Sequence, residues 1–487
     1  TTRLRSNKVK ICVVGGGTAG FVSALILKSS YPSYTVDIIK SSNIPTIGVG
    51  EGSTEHWSRF MDFVGIQAGE MIKECDATFK TGIMFKDWGG RDYLQNVHSH
   101  YSADRNGFPI VYSKLMSQDV DPRKLTGDYL WDNKTPFMKF IEERPNETGV
   151  SQYHFNTSKL NDYLIKKSKQ MGCNIIDDEV EPIWTTEIKQ LRGKEHVYHY
   201  DFYVDCTGFK RLLISKLGAK WKSYRQWLKM KEAIVFPTPE EDEIPIWTLA
   251  KAMDYGWMFR IPVWGRKGNG YIYDSDYINA DEAKVEVEKY LGHEVKVAKN
   301  IKFDPGAIDK PWIANCCAIG LSANFVEPLE ASSIGTSINQ SFLLAQRLSN
   351  YNQATIELYN KEINAIMENI RDFIILHYIS PRRDTKFWQD VAEIELPDSL
   401  KNNLKMWKHR LPVSDDFANK TLFNEFNHAL VLHGMDIFDR TSLKKQYEDL
   451  HTDAKQYVEN IIQEKEQFDT VKAIPHKMML DLLRRLV

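Results

Sequence analysis

The chain has little that would mark it for a membrane or a nucleic acid. Its 63 lysines and arginines nearly balance its 65 aspartates and glutamates, so the net charge is −2. A nucleic-acid or anionic-membrane partner is therefore not expected. The longest apolar run, Ile11 to Leu27, is interrupted by glycines and lacks a basic leader followed by a cleavage site. We interpret it as a buried strand, turn and helix, and expect neither a signal peptide nor a membrane span.

Cysteine is also scarce, and its spacing is uninformative for metal or disulfide chemistry. No pair has C-x-x-C spacing, and several of the six lie in apolar, strand-like runs. We expect reduced, buried thiols in a cytoplasmic protein, and no metal site. Internal repeats and low-complexity segments are absent as well.

What is present is the composition of a large globular protein. The 487 residues are 42% hydrophobic and 26% charged, close to the average for folded domains, so a sizeable core is possible. The length suggests about three domains, although one large fold with insertions fits equally well.

The N-terminal residues carry the pattern of a βαβ unit. Val9 to Val14 reads as a buried strand, Ala19 to Ser29 as a helix, and Thr35 to Ile39 as a second strand. This order predicts a right-handed parallel crossover.

A glycine loop joins the first strand to the helix. In Gly15-x-Gly17-x-x-Gly20, the first glycine permits a tight turn, the second lets a pyrophosphate approach, and the third lets helix and strand pack closely. The helix N-terminus favours the negative charge. We therefore predict a dinucleotide site that also includes Thr18 and Ala19.

One position departs from this fingerprint. An acidic residue is expected about 20 residues after the loop, on the ribose hydroxyl, but the chain has Lys40 followed by Ser41. Lys40 would suit a 2′-phosphate of NADP, or it is a solvated residue at the strand end with Ser41 on the ribose. We favour the second interpretation.

Other segments are candidates for further cofactor contacts. Gly48 to Thr54 is glycine-rich and reads either as a loop before a capped helix or as backbone against a flavin. Asp205-Cys206-Thr207-Gly208 resembles the strand-end motif by which FAD proteins contact their cofactor. The individual candidates are Gly48, Glu51, Val180 and Leu321.

The rest of the chain divides into a mixed region and a helical region. Strands are predicted at Asn174–Ile176, His196–Val204 and Cys317–Gly320, and helices at Asn161–Met171 and Ser332–Ser349. From Ile356 onward, helical periodicity with charged faces dominates.

Two further segments carry a family resemblance. They are Phe79-Lys80-Thr81 and Phe325-Val326-Glu327-Pro328-Leu329-Glu330-Ala331-Ser332-Ser333. Together with the glycine loop, they resemble flavin-dependent halogenases of the tryptophan-halogenase type over most of residues 8–410. The matching segments, in the same order, are Ile11–Phe21, Ile44–Thr54, Ala77–Trp88, Asp205–Leu213, Gly256–Asp276, Ile319–Ile334 and Ile370–Trp388.

The resemblance implies an α/β fold with an FAD-binding Rossmann-like domain. We expect this domain over residues 1–349, with substrate-side segments inserted at about 90–150 and 215–300, in a region of mixed sheet. A mostly helical C-terminal layer, residues 350–487, would cover the substrate.

The resemblance also implies a mechanism. Reduced FAD (FADH2), supplied by a separate NAD(P)H-dependent flavin reductase, reacts with oxygen and a halide ion to give hypohalous acid. The oxidant is guided through a tunnel to Lys80 and halogenates an electron-rich aromatic small molecule. Glu330 matches the catalytic glutamate, and the amides of Ser332 and Ser333 would hold the halide.

Lysine and glutamate suit these tasks. An ammonium can hydrogen-bond and polarise hypohalous acid, whereas a lysine partly deprotonated by burial can instead form a haloamine. A carboxylate can polarise the oxidant or accept the proton lost from an aromatic ring. A lone lysine in a sequence is nevertheless usually a solvated charge. Lys86 competes with Lys80 and Glu327 competes with Glu330, so the assignments depend on the flanking sequence.

The chain departs from the family pattern at several positions. The tunnel motif W-x-W-x-I-P reads Trp257-Met258-Phe259-Arg260-Ile261-Pro262, which keeps an aromatic wall of Trp257, Phe259, Ile261 and Pro262. Ala331 replaces a serine, and Ser332-Ser333 replaces Thr-Gly, where the halide would be chosen.

The largest departure concerns the substrate. Phe426 to Gly434 lacks the cluster of tryptophan and tyrosine that grips the amino acid in tryptophan-specific members, which argues against free tryptophan. His98, His100 and Tyr101 are alternative substrate-side residues or parts of a surface loop.

We therefore predict a two-component flavin-dependent halogenase. An FAD-dependent aromatic monooxygenase and a non-catalytic flavin-binding redox module remain alternatives, and Lys40 alone suggests a weaker one, an NADP-dependent reductase. The sequence leaves open the substrate, the halide, the regiochemistry and whether the protein is a homo-oligomer.

Overall fold

A computed structural model describes most of the chain. The described residues are 9–44, 51–96, 108–135, 152–418, 421–469 and 473–486. Gly48, His98, His100 and Tyr101 lie outside them.

The described residues form many short strands and a set of helices concentrated toward the C-terminus. The strands are β1 Lys10–Val14, β2 Thr35–Lys40, β3 Glu51–Gly52, β4 Thr78–Lys80, β5 Gly82–Lys86, β6 Tyr93–Asn96, β7 Lys134–Thr135, β8 Gln152–Phe155, β9 Asn174–Asp177, β10 Glu181–Trp184, β11 Ile188–Arg192, β12 Val197–Tyr198, β13 Phe202–Asp205, β14 Trp221–Ser223, β15 Glu232–Pro239, β16 Thr248–Ala252, β17 Gly256–Val263, β18 Arg266–Tyr273, β19 Lys299–Lys302, β20 Gly306–Ile308, β21 Trp312–Ile313, β22 Cys316–Ala318, β23 Asn324–Phe325 and β24 Ile474–Pro475. The α-helices are α1 Thr18–Ser30, α2 His56–Val64, α3 Ala68–Glu74, α4 Phe108–Ser117, α5 Pro122–Thr126, α6 Asp128–Trp131, α7 Thr157–Gln170, α8 Ala280–Leu291, α9 Ser332–Ala345, α10 Gln353–His377, α11 Lys386–Ala392, α12 Asp398–Trp407, α13 Glu425–Gly434, α14 Arg440–Glu448, α15 Thr452–Asp469 and α16 His476–Leu486.

The chain divides into two compact units, each assembled from three separated segments. The first unit comprises residues 1–77, 155–225 and 304–368, and the second comprises residues 78–154, 226–303 and 369–487. The domain boundary predicted near residue 349 stays a prediction.

A six-stranded sheet organises the first unit. Its order is β21-β22-β13-β1-β2-β9, and all neighbours are parallel except β21, which is an antiparallel edge strand. The predicted βαβ unit is confirmed, because β1 and β2 pair in parallel from Lys10↔Thr35 to Val14↔Ile39.

The helix of this βαβ unit is buried on every side. Residues 20–27 of α1 are all buried, since α1 packs against both α7 and α9. Small polar residues allow the close approach to α9: Ser23 Oγ lies 2.9 Å from Ser341 Oγ. An apolar helix with small residues thus presents its N-terminus at a fixed point beside the sheet.

A seven-stranded mixed sheet organises the second unit. Its order is β19-β15-β18-β17-β16-β5-β6, and only β16 and β5 pair in parallel. The predicted mixed sheet is confirmed. Beyond residue 350 the described elements are helical except for β24, which pairs with β7 through Ile474↔Thr135. Among the described residues, no helix has the length and apolar character needed to cross a membrane.

One strand prediction is wrong. The alternation from His196 to Val204 predicts a single strand, but the structure has β12 and β13 in two different sheets. The chain leaves the strand between them because Asp201 bonds to the start of β1: its amide donates to Lys10 O (2.9 Å) and its Oδ2 accepts from Lys10 N (2.8 Å).

Candidate functional site

The glycine loop has the conformation that a dinucleotide turn requires. Gly15 has φ +128°, and a Cβ there would stand 2.1 Å from the carbonyl oxygen of Cys206. A Cβ at Gly20 would stand 2.1 Å from the carbonyl oxygen of Gly15. Only glycine therefore satisfies both the turn and the close packing of α1 on the loop.

The middle glycine faces open space. Among the described residues, and apart from Gly17 itself and its two chain neighbours, no heavy atom lies within 4 Å of the position that a Cβ at Gly17 would take. Gly17 is also the N-cap of α1, so it offers no side chain to the first helical amides of Thr18 and Ala19. The loop thus leaves both room and donors for an anionic pyrophosphate, and the residues present fit a dinucleotide such as FAD.

The end of β2 explains how a lysine is accommodated where an acid is expected. A Cβ at Gly16 would stand 2.6 Å from Lys40 Cβ, so the lysine side chain packs over the loop. Ser41 Oγ donates to Glu179 Oε1 at 3.0 Å, and Asn43 Nδ2 donates to the same atom at 2.8 Å. These hydrogen bonds, from Asn43 and then Ser41, hold the pKa of Glu179 below its usual range.

Glu179 is a residue that sequence reasoning missed. The fingerprint searches for an acid along β2 itself, whereas Glu179 follows the neighbouring strand β9. The parallel pairing of β2 with β9 brings the two strand ends to the same edge. A carboxylate therefore stands beside Ser41, although it comes from another part of the chain.

The other predicted cofactor contacts have different surroundings. The Val180 side chain belongs to the hydrophobic core under the first sheet, with Cys12 and Val14, so only its backbone is available to a ligand. Leu321 lies in a 3₁₀ turn beginning at Gly320, where a Cβ would stand 2.7 Å from Ala19 Cβ. The structure therefore brings the Leu321 turn to the glycine loop. Glu51 begins β3.

The strand-end motif is held by its own aspartate. Asp205 is fully buried, and its Oδ1 accepts from Thr207 N (3.0 Å), Thr207 Oγ1 (2.7 Å) and Ser322 Oγ (3.2 Å). Its Oδ2 accepts from the amides of Leu213 (2.8 Å) and Ile214 (2.9 Å). A buried carboxylate needs such donors, so this side chain stabilises the loop and leaves cofactor contacts to the backbone.

The segment from Glu330 to Ser333 forms the entry to a helix. Glu330 ends a 3₁₀ turn and is buried, and Ser332 and Ser333 are the first residues of α9. Ala331, the N-cap, has a left-handed backbone (φ 51°, ψ 32°) and a methyl side chain that cannot cap the helix. The first amides of α9 are thus placed as an anion site requires.

Burial separates the two candidate lysines but not the two candidate glutamates. Lys80 is 2% exposed on β4, whereas Lys86 is half-buried. Lysine is almost never fully buried without a specific reason, so the structure removes the interpretation of Lys80 as a solvated charge. Glu327 and Glu330 are both buried, at 0% and 3% exposed.

Hydrogen bonds fix the strand that carries Lys80. β4 pairs antiparallel with β8, with Lys80 opposite Gln152. Thr78 Oγ1 donates to Pro262 O at 2.7 Å, which joins β4 to the end of β17. The second unit thus connects the Lys80 strand directly to the motif Trp257–Pro262.

The side chains of that motif lie on the two faces of β17. Side chains alternate along a strand, so Trp257, Phe259 and Ile261 share one face and Pro262 lies on the other. The rings of Trp257 and Phe259 are 6.1 Å apart. Phe259 covers Gly270, where a Cβ would stand 2.4 Å from the ring. Three of the four predicted wall residues therefore lie on the same face of β17.

The C-terminal segment that argued against free tryptophan is a buried helix. Every residue from Phe426 to Gly434 in α13 is buried. His428 packs its ring against Phe373, Trp407 and Phe417, at centroid distances of 4.6, 5.1 and 4.7 Å. In this chain the segment therefore contributes to a core.

The predicted residues fall into two groups by unit. The first unit holds the glycine loop, Ser41, Val180, Leu321, Glu330, Ser332 and Ser333. The second unit holds Lys80, Trp257, Phe259, Ile261 and Pro262.

Comparison with known proteins identifies several relatives. Residues 10–448 match the family model described as tryptophan halogenase. A tryptophan 6-halogenase of Streptomyces toxytricini is 31% identical over 450 residues, covering 84% of this chain and 86% of that protein.

Solved structures give the same result. A tryptophan halogenase from Shewanella frigidimarina has a TM-score of 0.87 at 26% identity, covering 98% of each chain. A flavin-dependent halogenase from Xanthomonas campestris has a TM-score of 0.83 at 27% identity, again covering 98% of each.

Proposed function

The chain belongs to the tryptophan halogenase family, and we propose that Lys80 is the residue through which it halogenates an electron-rich aromatic small molecule. The family consists of flavin-dependent enzymes that act on aromatic substrates and take FADH2 from a separate reductase. The observation that carries the proposal is the burial of Lys80, at 2% exposure, on a strand bonded to the motif Trp257–Pro262.

We assign the dinucleotide site to the first unit. Gly15, Gly17 and Gly20 with the amides of Thr18 and Ala19 would hold the pyrophosphate of FAD, and Ser41 with Glu179 would hold the ribose. When bound, the reduced flavin supplies the electrons by which oxygen converts halide to hypohalous acid. The turn at Gly320 and Leu321 and the backbone of Gly48, Glu51 and Val180 complete the proposed contacts.

We assign halide to the start of α9. The amides of Ser332 and Ser333 begin a 14-residue helix whose N-cap, Ala331, cannot supply a competing side-chain oxygen. Which halide is preferred is set by this loop, where Ala331 and the serine pair depart from the family pattern.

Lys80 and Glu330 are the residues that we propose for the halogenation step. The Lys80 ammonium donates a hydrogen bond to the oxygen of hypohalous acid and makes its halogen more electrophilic. The aromatic ring attacks the halogen and the halogen–oxygen bond breaks. The hydroxide that leaves takes a proton from the Lys80 ammonium to become water, and the ring loses one proton. Glu330, a buried carboxylate, is the proposed acceptor of that proton.

We propose a substrate other than free tryptophan. The helix α13 uses its polar and aromatic residues for internal packing, as His428 does with Trp407. The wall of Trp257, Phe259 and Ile261 is apolar and aromatic, as expected for the proposed tunnel that guides the oxidant. An indole or phenol is the expected class, because hypohalous acid halogenates electron-rich rings, and the helical layer of residues 350–487 is the proposed cover.

The six cysteines are free thiols, which supports a reducing compartment such as the cytoplasm.

A product assay tests this function. The protein is supplied with FAD, a flavin reductase, NADH, oxygen and chloride, bromide or iodide, together with a panel of indoles and phenols. We expect a halogenated product by mass spectrometry, dependent on the halide.

Two results would contradict the proposal. Hydroxylated product without halogenation would identify an FAD-dependent monooxygenase. FAD binding without any product would identify a non-catalytic flavin module.

A further inference from the structure

The first residue of the last described helix lies against the strand that carries Lys80. His476 begins α16 and is 1% exposed. Its ring centroid is 6.0 Å from that of Phe79, the residue before Lys80. β24 and a bond from the His476 amide to Asn133 O (2.9 Å) fix the backbone at this point.

The ring nitrogens of His476 have defined roles. The Phe79 amide donates to Nε2 at 3.2 Å, so Nε2 carries no proton. Nδ1 therefore carries the proton and donates it to Ile244 O at 3.0 Å. Burial lowers the pKa of His476 to about 4, so this neutral form persists at neutral pH.

The imidazole bridges two extended backbone segments in place of a direct hydrogen bond between them. Two residues further along, the Thr81 amide donates directly to Ile246 O at 2.8 Å. At Phe79 the link to Ile244 instead passes through the His476 ring. The Phe79 amide donates to Nε2, and Nδ1 donates to the Ile244 carbonyl oxygen. Lys80 lies between the direct bond and the relayed one.

The side chain of Thr78, on the same strand, is held by a chain of hydrogen bonds. Because the single proton of Thr78 Oγ1 is donated to Pro262 O, the hydroxyl oxygen accepts from Nδ1 of His154 (3.2 Å). Nε2 of His154 then accepts from Thr248 Oγ1 (2.8 Å). The Thr78 side chain thus anchors β4 to β17 and, through His154, to β16, whereas the Phe79 amide is held by His476.

We propose that His476 is a positioning residue for Lys80: by relaying the Phe79 amide to the Ile244 carbonyl, it sets where the lysine stands during halogenation. This inference rests on the proposed role of Lys80. Displacing a catalytic group by an ångström is enough to cost orders of magnitude in rate, so the relay affects the halogenation step. We expect no effect on the formation of the oxidant, because that step depends on the flavin.

Two substitutions separate the halves of the relay. His476→Asn keeps a donor near the Nδ1 position and removes the acceptor for Phe79. His476→Gln places an acceptor near the Nε2 position and removes the donor to Ile244. Lys477→Ala is the control, because it removes an anchor of the same helix, the bond to Glu240 (3.0 Å), that does not involve β4.

Three readouts are compared in the full-length enzyme with FAD, flavin reductase, bromide and indole. They are hydrogen exchange of the peptide containing Phe79, the rate of reduced-flavin oxidation, and the turnover of bromination. In His476→Asn we expect faster exchange, a bromination turnover lowered by at least about tenfold, and flavin oxidation and KM for indole within about twofold of wild type. His476→Gln breaks the half of the relay toward Ile244 and should also lose bromination selectively, whereas Lys477→Ala should brominate within about threefold of wild type.

The outcomes distinguish this inference from the proposed function. Normal bromination by His476→Asn, or parallel loss of bromination and flavin oxidation, would overturn the positioning role. If His476→Asn does not fold, His476→Gln decides: a selective loss of bromination supports the role, and bromination within about threefold of wild type contradicts it. Normal bromination by Lys80→Ala would instead refute the function on which it rests.

Discussion

At the level of single residues, solvent exposure distinguishes Lys80 from Lys86 as the candidate catalytic lysine. Lys80 is almost fully buried, whereas its neighbour Lys86 is half-buried. Because a lysine loses hydration on burial, Lys80 needs a function or a structural partner that Lys86 does not. Sequence flanks alone pointed to the same choice, but they could not exclude an ordinary solvated lysine.

In the glycine loop, we expect alanine substitutions at Gly17 and Gly20 to have different effects on FAD binding and stability. Gly17→Ala meets no atom within 4 Å, so unfolding of the FAD-free protein should change by less than about 1 kcal/mol. The methyl group would, however, occupy the space of the pyrophosphate and raise the Kd for FAD by at least about tenfold.

Gly20→Ala is the matched comparison. Its Cβ would collide with the Gly15 carbonyl at 2.1 Å, and the FAD-free protein itself should be destabilised by about 2 kcal/mol or more. Denaturant unfolding and flavin fluorescence titration measure the two effects. An equal loss of stability in both variants would contradict this geometry.

Asp205 gives a stability prediction. Its five accepted hydrogen bonds serve the loop after β13, so Asp205→Asn should lower the free energy of unfolding by about 3 kcal/mol. The exposed Asp201, which accepts from Lys10 N, is the control, and Asp201→Asn should change stability by less than about 1 kcal/mol. Indistinguishable unfolding curves for the two variants would disprove the structural role.

At the level of elements, local patterns succeeded where one chain segment determines the structure. The βαβ unit is confirmed because its strand, loop and helix are contiguous, and α9 begins at Ser332 as predicted. The single strand predicted from His196 to Val204 was wrong because Asp201 forms hydrogen bonds with Lys10, which is far away in sequence.

The parts of the site that the sequence did not predict come from distant segments. Glu179 reaches the end of β2 from β9, and His476 reaches Phe79 across almost the whole chain. Neither residue lies in a recognisable motif, since a hydrogen bond between distant segments leaves no spacing to read. The residues of the glycine loop and of β17 were predictable because their motifs are continuous.

A further stability prediction concerns Ala331, at the start of α9. Ala331 has φ 51°, a conformation that strains a residue with a Cβ, so Ala331→Gly should stabilise the protein by about 0.5 kcal/mol. In the same helix, Ala345→Gly should destabilise it by about 1 kcal/mol. Thermal unfolding of both variants gives the two signs, and destabilisation by Ala331→Gly would contradict the left-handed cap.

At the level of the whole molecule, the residues proposed for the site lie in two units. The first unit holds those proposed for dinucleotide and halide binding, and the second holds Lys80 and the proposed aromatic wall. The second unit also contains neutral histidines: burial lowers the pKa of His428 to about 3 and of His433 and His476 to about 4.

This difference predicts acid sensitivity. An unfolded histidine titrates near pH 6.5, so on acidification the unfolded chain gains protons before the folded second unit does. The free energy of unfolding should be constant above about pH 6.5 and fall as the pH drops toward about 4, by up to about 3 kcal/mol per buried histidine.

Urea unfolding between pH 7.5 and 5.5 measures this slope before most carboxylates titrate. His476→Gln should show a smaller slope than wild type, because one of the contributing histidines is gone. A free energy that does not change with pH in this range would contradict the neutral, buried state of these rings.

The most direct test of the central claim compares Lys80→Ala with Lys86→Ala. Each variant is assayed for FAD binding, reduced-flavin oxidation and halogenated product with the best substrate of the panel. We predict that Lys80→Ala loses halogenation by at least about a hundredfold while binding FAD like wild type, and that Lys86→Ala changes neither by more than about twofold. Halogenation by Lys80→Ala at the wild-type rate, or loss of its FAD binding, would contradict the account.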